Sequence, residues 1–465
     1  MNSYKRHIHN YLLPLLLLLM GTACNKQLDL KPENTMVESE LLKNEGTTES
    51  FLGDTYLQLM AACGGNAFTL PDFSAATAKG YDNAIVSGDV DPRDKNYYGL
   101  WDQPYKTINQ ANVIITQLGK YATFDKTRQQ GFIAEAKFIR AMAYLQLLEM
   151  YGDGALQNKP ENMGVPLRLE SFEGYDGSQI IPRATNGAVY TQIIKDLDEA
   201  IAVLPADRKD ALDQGSRATR GAANALAARV SLYEGKYDKA ATYAAAAMEG
   251  NRYQLASSFE ELWPNHAEGG GRYPINKEVL FAFPESFNNT NRYNDSHGIY
   301  YIYYTPEAGF MSTYQATDER ATELMVLGPL GIDAMRKFTD PNTRDNVTMI
   351  RLAEVMLTRA EALARKDGVN AISVGLLNEV YARAFTKSPV PKVYTAADFP
   401  NAQALIDRIL QERKWELAFE GFARYDAIRT GKRPNPLMPP EKFYLPVPQR
   451  EIDVTNGLIK QSPGF

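Results

Sequence analysis

Between Trp263 and Tyr314 the chain gathers tyrosines and side-chain amides in a pattern that could hold a sugar. Tyr293, Tyr300, Tyr301, Tyr303 and Tyr304 stand among Asn288, Asn289, Asn291, Asn294 and Asp295. A sugar offers an apolar ring face and a rim of hydroxyls, which flat aromatics and amide or carboxylate groups match in turn. Tyr293, Asn294, Tyr300, Tyr301, Tyr303 and Tyr304 are therefore candidate ligand contacts. The competing expectation is that alternate members of Tyr300 to Tyr304 point inward as a strand. Within this stretch only Glu278 to Phe283 (EVLFAF) reads as a strand, and the rest is rich in Gly, Asn, Pro and Tyr. Long loops of this kind are functional or disordered, and disordered segments are poor in aromatics. A second candidate patch is Tyr81 and Asp82, beside Asn83, with Tyr97 and Tyr98 just ahead of Trp101.

Other chemistries are poorly provided for. The 465 residues contain four His and two Cys, and His7 and His9 fall in the first 24 positions, leaving His266 and His297. No Cys/His spacing suits zinc, no cofactor is expected, and no catalytic residue is assigned. A net charge of -6 without a basic patch argues against nucleic acid as a partner. The run SGDVDPRDKN (Asp89, Asp91, Asp94) could offer oxygens to a hard cation, but it lacks the Gly and Glu of a calcium-binding loop, and a solvated loop is the better expectation. Glycoside hydrolysis needs only two carboxylates, and the chain has 56 acidic residues. The best-defined of them, Glu354, Glu361, Glu416 and Glu420, sit in helical patterns that look buried. A hydrolase, or a scaffold for a peptide, remains an alternative to a binder of sugars.

The residues that must position these loops are mostly helical. Apolar spacing predicts helices over Val37 to Cys63, from Trp101 to Leu118, over Gly131 to Tyr151, Ala188 to Leu204, Val347 to Lys366 and Val369 to Phe385. Residues 66 to 104 show no clear period and read as loop with short elements. Two alanine-rich segments between Thr219 and Met248 meet at Glu234-Gly235-Lys236, the pattern of a helical hairpin, and EGKYDKAATYA is similar to half of a tetratricopeptide (TPR) repeat. From Asp407 to Gly431 a single helix is expected, apolar on two faces. Arg413, Glu416, Glu420 and Arg424 are interleaved with its apolar residues, which calls for Arg-carboxylate pairs within the helix (Glu420 to Arg424) or to a neighbour. The fold class is thus mostly α, TPR-like helical hairpins forming a scaffold, with a loop-rich, short-strand insertion at about 256–345 carrying the binding surface.

At the start, Lys5 and Arg6 precede a ten-residue apolar run from Tyr11 to Met20, and Gly21, Thr22 and Ala23 lead to Cys24. That run is too short for a bilayer core, which takes about 20 residues, so it reads as an export signal. It resembles a bacterial lipoprotein signal with Cys24 as the acylated residue, although Gly21 stands where Leu is usual. Residues 1–23 are then a signal peptide, 24–36 a lipidated tether, and 37–465 the folded domain, with Cys63 left as a small packed residue lacking a disulfide partner.

ERKWELAFEGFARYDAIRTGK resembles the C-terminal signature of the SusD/RagB family of surface lipoproteins, ER-x-x-EL-x-FEG-x-R-x-x-DL-x-R, with Ala427 and Ile428 in place of Leu-Val. Trp101, Tyr105, Ile108, Ala111 and Asn112 match the family's W-x-x-x-Y-x-x-I-x-x-AN pattern. AEAKFIRAMAYLQLLEMYGD, RLAEVMLTRAEA and LLNEVYARAF match others, Tyr381 replacing an expected Arg. The resemblance implies a protein without catalytic activity, anchored in the outer membrane by lipid and facing the cell surface. It further implies a glycan ligand and hand-off to a SusC-like TonB-dependent transporter. Ligand aromatics would come from loops near the two tyrosine patches, with no residue fixed by motif.

Overall fold

Long helical runs separated by short connections have to pack antiparallel, and the computed structural model is built from such pairs. It describes residues 38–79, 83–172, 177, 180–263, 274–284, 305–323, 325–327, 333–338 and 345–465. The principal helices are α1 (Glu45–Cys63), α2 (Gly65–Ser74), α3 (Gly99–Tyr121), α4 (Lys126–Tyr151), α5 (Asn186–Ile201), α6 (Arg220–Tyr233) and α7 (Tyr237–Ala247). After the insertion come α8 (Leu352–Asp367), α9 (Ala371–Ala382), α10 (Ala402–Glu416), α11 (Ala423–Arg429) and α12 (Gln449–Val454). The strands pair antiparallel and are short: β1 (Ala78–Lys79) with β3 (Thr305–Pro306), β2 (Val279–Phe283) with β6 (Val347–Arg351), and β4 (Met325–Leu327) with β5 (Asp333–Met335). This is the mostly helical scaffold with small strand insertions that the sequence led us to expect. Among the described residues, no helix is long and apolar enough to cross a membrane.

Helices α3 and α4, α6 and α7, and α8 and α9 form hairpins, and α5 packs on α4 while α7 packs on α8. Asp125 caps α4 by accepting from the Arg128 N–H at 3.0 Å, and Thr219 caps α6 in the same way. Small residues Ala222, Ala225, Ala228, Ala240 and Ala244 are buried where α6 meets α7, which lets the two helices approach closely. Two contacts between helices are also stitched by buried charge. Arg140 of α4 grips Asp196 of α5 at 2.6 and 2.8 Å, and Arg229 of α6 grips Glu354 of α8 at 2.6 and 2.7 Å.

Four local expectations need correction. Gly65–Ser74, inside the stretch read as loop, is a helix whose side chains from Ala67 to Ser74 are all buried, so it has no polar face to mark its period. Val347–Arg351, expected as helix, is a strand, because its residues pair with β2 and are buried on both faces. The helix expected from Asp407 to Gly431 stops at Glu416 and resumes at Ala423. Between them Phe419 and Gly421 take left-handed φ values of 65° and 80°. At Gly421 a Cβ would stand 2.9 Å from the Phe68 carbonyl oxygen, so only glycine fits this turn. The break also undoes the expected Glu420–Arg424 pair. Glu420 turns to Lys337 and Arg351, while Arg424, only 2% exposed, reaches the Lys442 carbonyl at 3.4 Å.

The carboxylates of this region gather around Arg351, which is 1% exposed. Its Nε donates to Glu420 at 2.7 Å, Nη1 to Glu278 at 2.8 Å and Glu416 at 2.6 Å, and Nη2 to the Glu416 carbonyl at 2.7 Å and Glu420 at 2.9 Å. All five N–H donors of the guanidinium are used. Burial pushes the Glu416 carboxyl up, but Arg383, Arg351 and Arg320 outweigh it and hold the group at about 2. Trp415 roofs the same network: its indole N–H donates to Thr313 at 2.9 Å, its ring stacks on Tyr314 at 5.8 Å, and Arg320 lies 5.8 Å from its ring centre.

Glu149 is the opposite case. It lies with Gln146, Tyr233 and Tyr425 around a pocket of about 30 Å³, where Tyr233 Oη has no hydrogen-bond partner. Burial, only partly offset by Arg229, raises its carboxyl to about 8.

Trp415→Ala is expected to lower unfolding free energy by about 3–5 kcal/mol, measured by urea titration. Glu149 holds its proton more tightly folded than unfolded, where the value is about 4.3. Its contribution is therefore full below about pH 4 and lost as pH rises toward about 8. Glu149→Gln should flatten the fall in melting temperature over that interval and raise it at pH 8.

Candidate functional site

Of the residues expected to contact ligand, Tyr97 and Tyr98 lie in the described structure. Tyr81, Asp82, Tyr293, Asn294, Tyr300, Tyr301, Tyr303 and Tyr304, and Cys24 with the segment around it, lie outside the described residues. The loop ahead of Tyr97 is held by its own acids. Asp91 accepts from the Arg93 N–H at 2.8 Å, and Asp94 accepts from the Asn96 N–H at 2.9 Å to start a single 3-10 turn that delivers both tyrosines to the head of α3. These aspartates thus serve the turn, and the described residues contain no group of three His, Cys, Asp or Glu placed for a metal. Tyr97 is half-buried against the core. Tyr98, also half-buried, donates to the Arg93 carbonyl at 3.3 Å, and the Arg450 guanidinium lies 4.8 Å from its ring centre.

Arg450 links Tyr98 to a groove of about 560 Å³ that runs beside α3. Its floor is aromatic: Trp101, 2% exposed, meets Tyr151 edge-on at 4.9 Å and Tyr105 at 5.3 Å. Tyr105 is anchored by a bond to the Pro166 carbonyl at 2.9 Å and carries the Arg168 guanidinium 5.2 Å from its ring centre. The far wall is residues 168–172, which Asn112 clamps by donating to the Arg168 and Glu170 carbonyls, both at 3.0 Å. Asn109 accepts from the Phe172 N–H at 2.8 Å, and the Phe172 ring stands 44% exposed at the groove edge. Two polar atoms of the lining, Arg168 Nε and Gln110 Oε1, are buried without a hydrogen-bond partner. Two of the groove's carboxylates, Asp102 and Glu451, pair with Arg450. The arrangement combines ring faces with amide and guanidinium groups, as a neutral polar ligand would require.

Sequence reasoning placed Trp101, Tyr105 and Asn112 in a family pattern, and the structure packs them along α3. It did not find the groove, because Arg168, Phe172 and Arg450 come from segments distant in the chain and carry no local pattern.

Two family profiles match the chain. One, a SusD-like family described as starch-binding and associating with outer membrane, matches residues 28–232; the other, the SusD family, matches residues 312–435. The chain belongs to the SusD/RagB family. SusD-like protein P38 of Formosa agariphila is 22% identical over an alignment of 486 residues, covering 90% of each chain. Among solved structures, a SusD superfamily protein from Bacteroides thetaiotaomicron has a TM-score of 0.75 at 22% identity, covering 90% of this chain and 99% of that one. Surface glycan-binding protein A from Bacteroides thetaiotaomicron, solved in complex with laminarihexaose, has a TM-score of 0.72 at 18% identity, covering 90% and 100%. These superpositions establish a common SusD fold.

If Asn112 holds the groove wall as described, Asn112→Leu should cost about 1–3 kcal/mol, since two backbone carbonyls and Arg140 lose a buried partner. Hydrogen exchange at the Phe172 amide should accelerate well beyond the change in global stability.

Proposed function

We propose that this protein is a surface-exposed glycan-binding lipoprotein that captures oligosaccharide or polysaccharide and hands it to a SusC-like TonB-dependent outer-membrane transporter. Cys24 carries the lipid, and the protein does no chemistry on its cargo. Membership of the SusD/RagB family carries the reading. The outer-membrane description of the family profile and the laminarihexaose complex of one structural relative support it.

The binding surface is formed by the tyrosines of two loops, Tyr81 with Asp82, Tyr97 and Tyr98 in one, and Tyr293, Asn294, Tyr300, Tyr301, Tyr303 and Tyr304 in the other. The position of Tyr98 beside the aromatic-floored groove supports this choice, since an extended chain could run from one to the other. Support for a binder over a hydrolase comes from the acids. A glycosidase needs a carboxylic acid kept protonated in its cleft, whereas the described carboxyl raised to about 8, Glu149, is sealed in the core and does not line the groove.

Replacing Tyr300, Tyr301, Tyr303 and Tyr304 together by Ala should weaken retention in affinity gels cast with neutral polysaccharides at least tenfold, with an unchanged circular dichroism spectrum. Equal retention by parent and variant across the panel would show the site to be misplaced. Release of reducing sugar by the purified parent would remove the non-catalytic reading.

A further inference from the structure

At the edge of the groove beside α3, the chain holds an aromatic ring away from the core. Residues 168–172 are fastened to α3 at nearly every step: Asn112 donates to the Arg168 and Glu170 carbonyls, Gln117 donates to the Ser171 hydroxyl at 2.9 Å, and the Phe172 N–H donates to Asn109. Ser171 is 6% exposed, whereas the next side chain, Phe172, is 44% exposed. A lone exposed apolar residue is ordinary. On a backbone fastened in this way, however, the ring cannot turn inward without breaking those bonds. Beside it, Asn109 uses its side-chain oxygen on the Phe172 N–H, and its amide nitrogen has no partner among the described residues.

The shape and charge of the groove narrow what could meet that ring. Its lining follows α3 from Trp101 to Asn112, about 16 Å of helix. Arg450 over Tyr98 marks one end, and Phe172 on Asn109 lies toward the other. This length exceeds one sugar ring, so a saccharide lying along it presents several consecutive units. The charged residues of the lining are three of each sign, Asp102, Glu170 and Glu451 against Lys106, Arg168 and Arg450. A lining balanced in this way gives no net field to favour an acidic chain over a neutral one.

We propose that the groove is a second subsite for an extended neutral glycan, in which the Phe172 ring stacks on the apolar face of one sugar unit and the Asn109 amide donates to a hydroxyl beside it. Flat aromatics and side-chain amides supply those two kinds of contact. This inference rests on the glycan reading above and deepens it. The ligand is a run of neutral units reaching from Tyr98 to Phe172, and affinity grows with the length of the chain.

The test uses the full mature chain, first in affinity gels cast with a panel of neutral polysaccharides that includes laminarin and starch. The disaccharide and hexasaccharide of the polysaccharide retained best are then compared by isothermal titration calorimetry. Affinity should rise from disaccharide to hexasaccharide and should hold as salt is raised. Phe172→Ala and Phe172→Leu should each lower hexasaccharide affinity at least tenfold relative to disaccharide affinity, whereas Phe172→Tyr should keep the rise. Melting temperature should be unchanged in all three, because the ring is exposed. An equal rise in the parent and Phe172→Ala overturns the subsite and leaves the tyrosine-loop reading standing, and a rise kept by Phe172→Leu overturns the stacking. If the parent retains no member of the panel, the glycan reading itself falls and this subsite with it.

Discussion

Arg351 sets the terms on which the rest of the structure is built. A guanidinium this deeply buried costs several kcal/mol unless every donor finds an acceptor, and its acceptors come from two stretches distant from it in sequence: Glu278 just before β2, and Glu416 at the end of α10 with Glu420 in the turn that follows. Those acids recruit further cations. Glu278 and Glu416 share Arg383, Glu416 and Glu412 share Arg320, Glu412 takes Arg408 and Glu420 takes Lys337. With Asp318 on Arg320, these ten residues carry five charges of each sign. Aromatic rings close over the cations, Trp263 at 5.1 Å from Arg351 and Phe259 at 4.6 Å from Arg383.

The consequence is positional. Glu278 stands just before β2, Arg351 where the chain re-enters the helical scaffold, and Asp318, Arg320 and Lys337 lie between them. The network therefore nails the insertion at several points to α10. A segment fixed at its roots can differ in sequence elsewhere without disturbing the scaffold. The helical body is tied in the same way, since buried bidentate pairs lock α4 to α5 through Arg140 and Asp196 and α6 to α8 through Arg229 and Glu354.

Much of this was legible in the sequence, and the failures have physical causes. Long helices with punctuated ends, such as α3 to α4, could be read because capping residues and stops are local. The interleaved Arg and Glu residues of α10 announced buried pairing, but not their partners. Pairing across 60 to 100 residues leaves no trace in spacing, so Glu420 looked toward Arg424 when its mates were Arg351 and Lys337. The turn at Phe419 to Gly421 was hidden because apolar residues continue through it with helical spacing, and only the contact of Gly421 with Phe68 reveals why the helix must break. Likewise α2 and β6, buried on all sides, present no amphipathic period. The groove beside α3 was invisible for a different reason: its lining is assembled from four segments, and Trp101 and Tyr105 look the same in sequence whether they floor a groove or fill a core.

How the carboxylates are distributed bears most directly on what such a fold can do. Proton transfer needs an acid or base whose affinity for the proton lies near the working pH and which can touch a ligand. Glu361 and Glu416, held at about 2 by arginines that outweigh their burial, are committed to the ionised state and to structure. Glu149, poised at about 8, faces a pocket of one water's size inside the helical body. At the groove, Asp102 and Glu451 pair with Arg450, and the remaining lining mixes aromatic rings and amides with Lys106, Arg168 and Glu170. A protein arranged in this way can stack and hydrogen-bond a sugar at little cost to its fold, while its strongest electrostatic interactions remain in the interior, where they hold the loops in place.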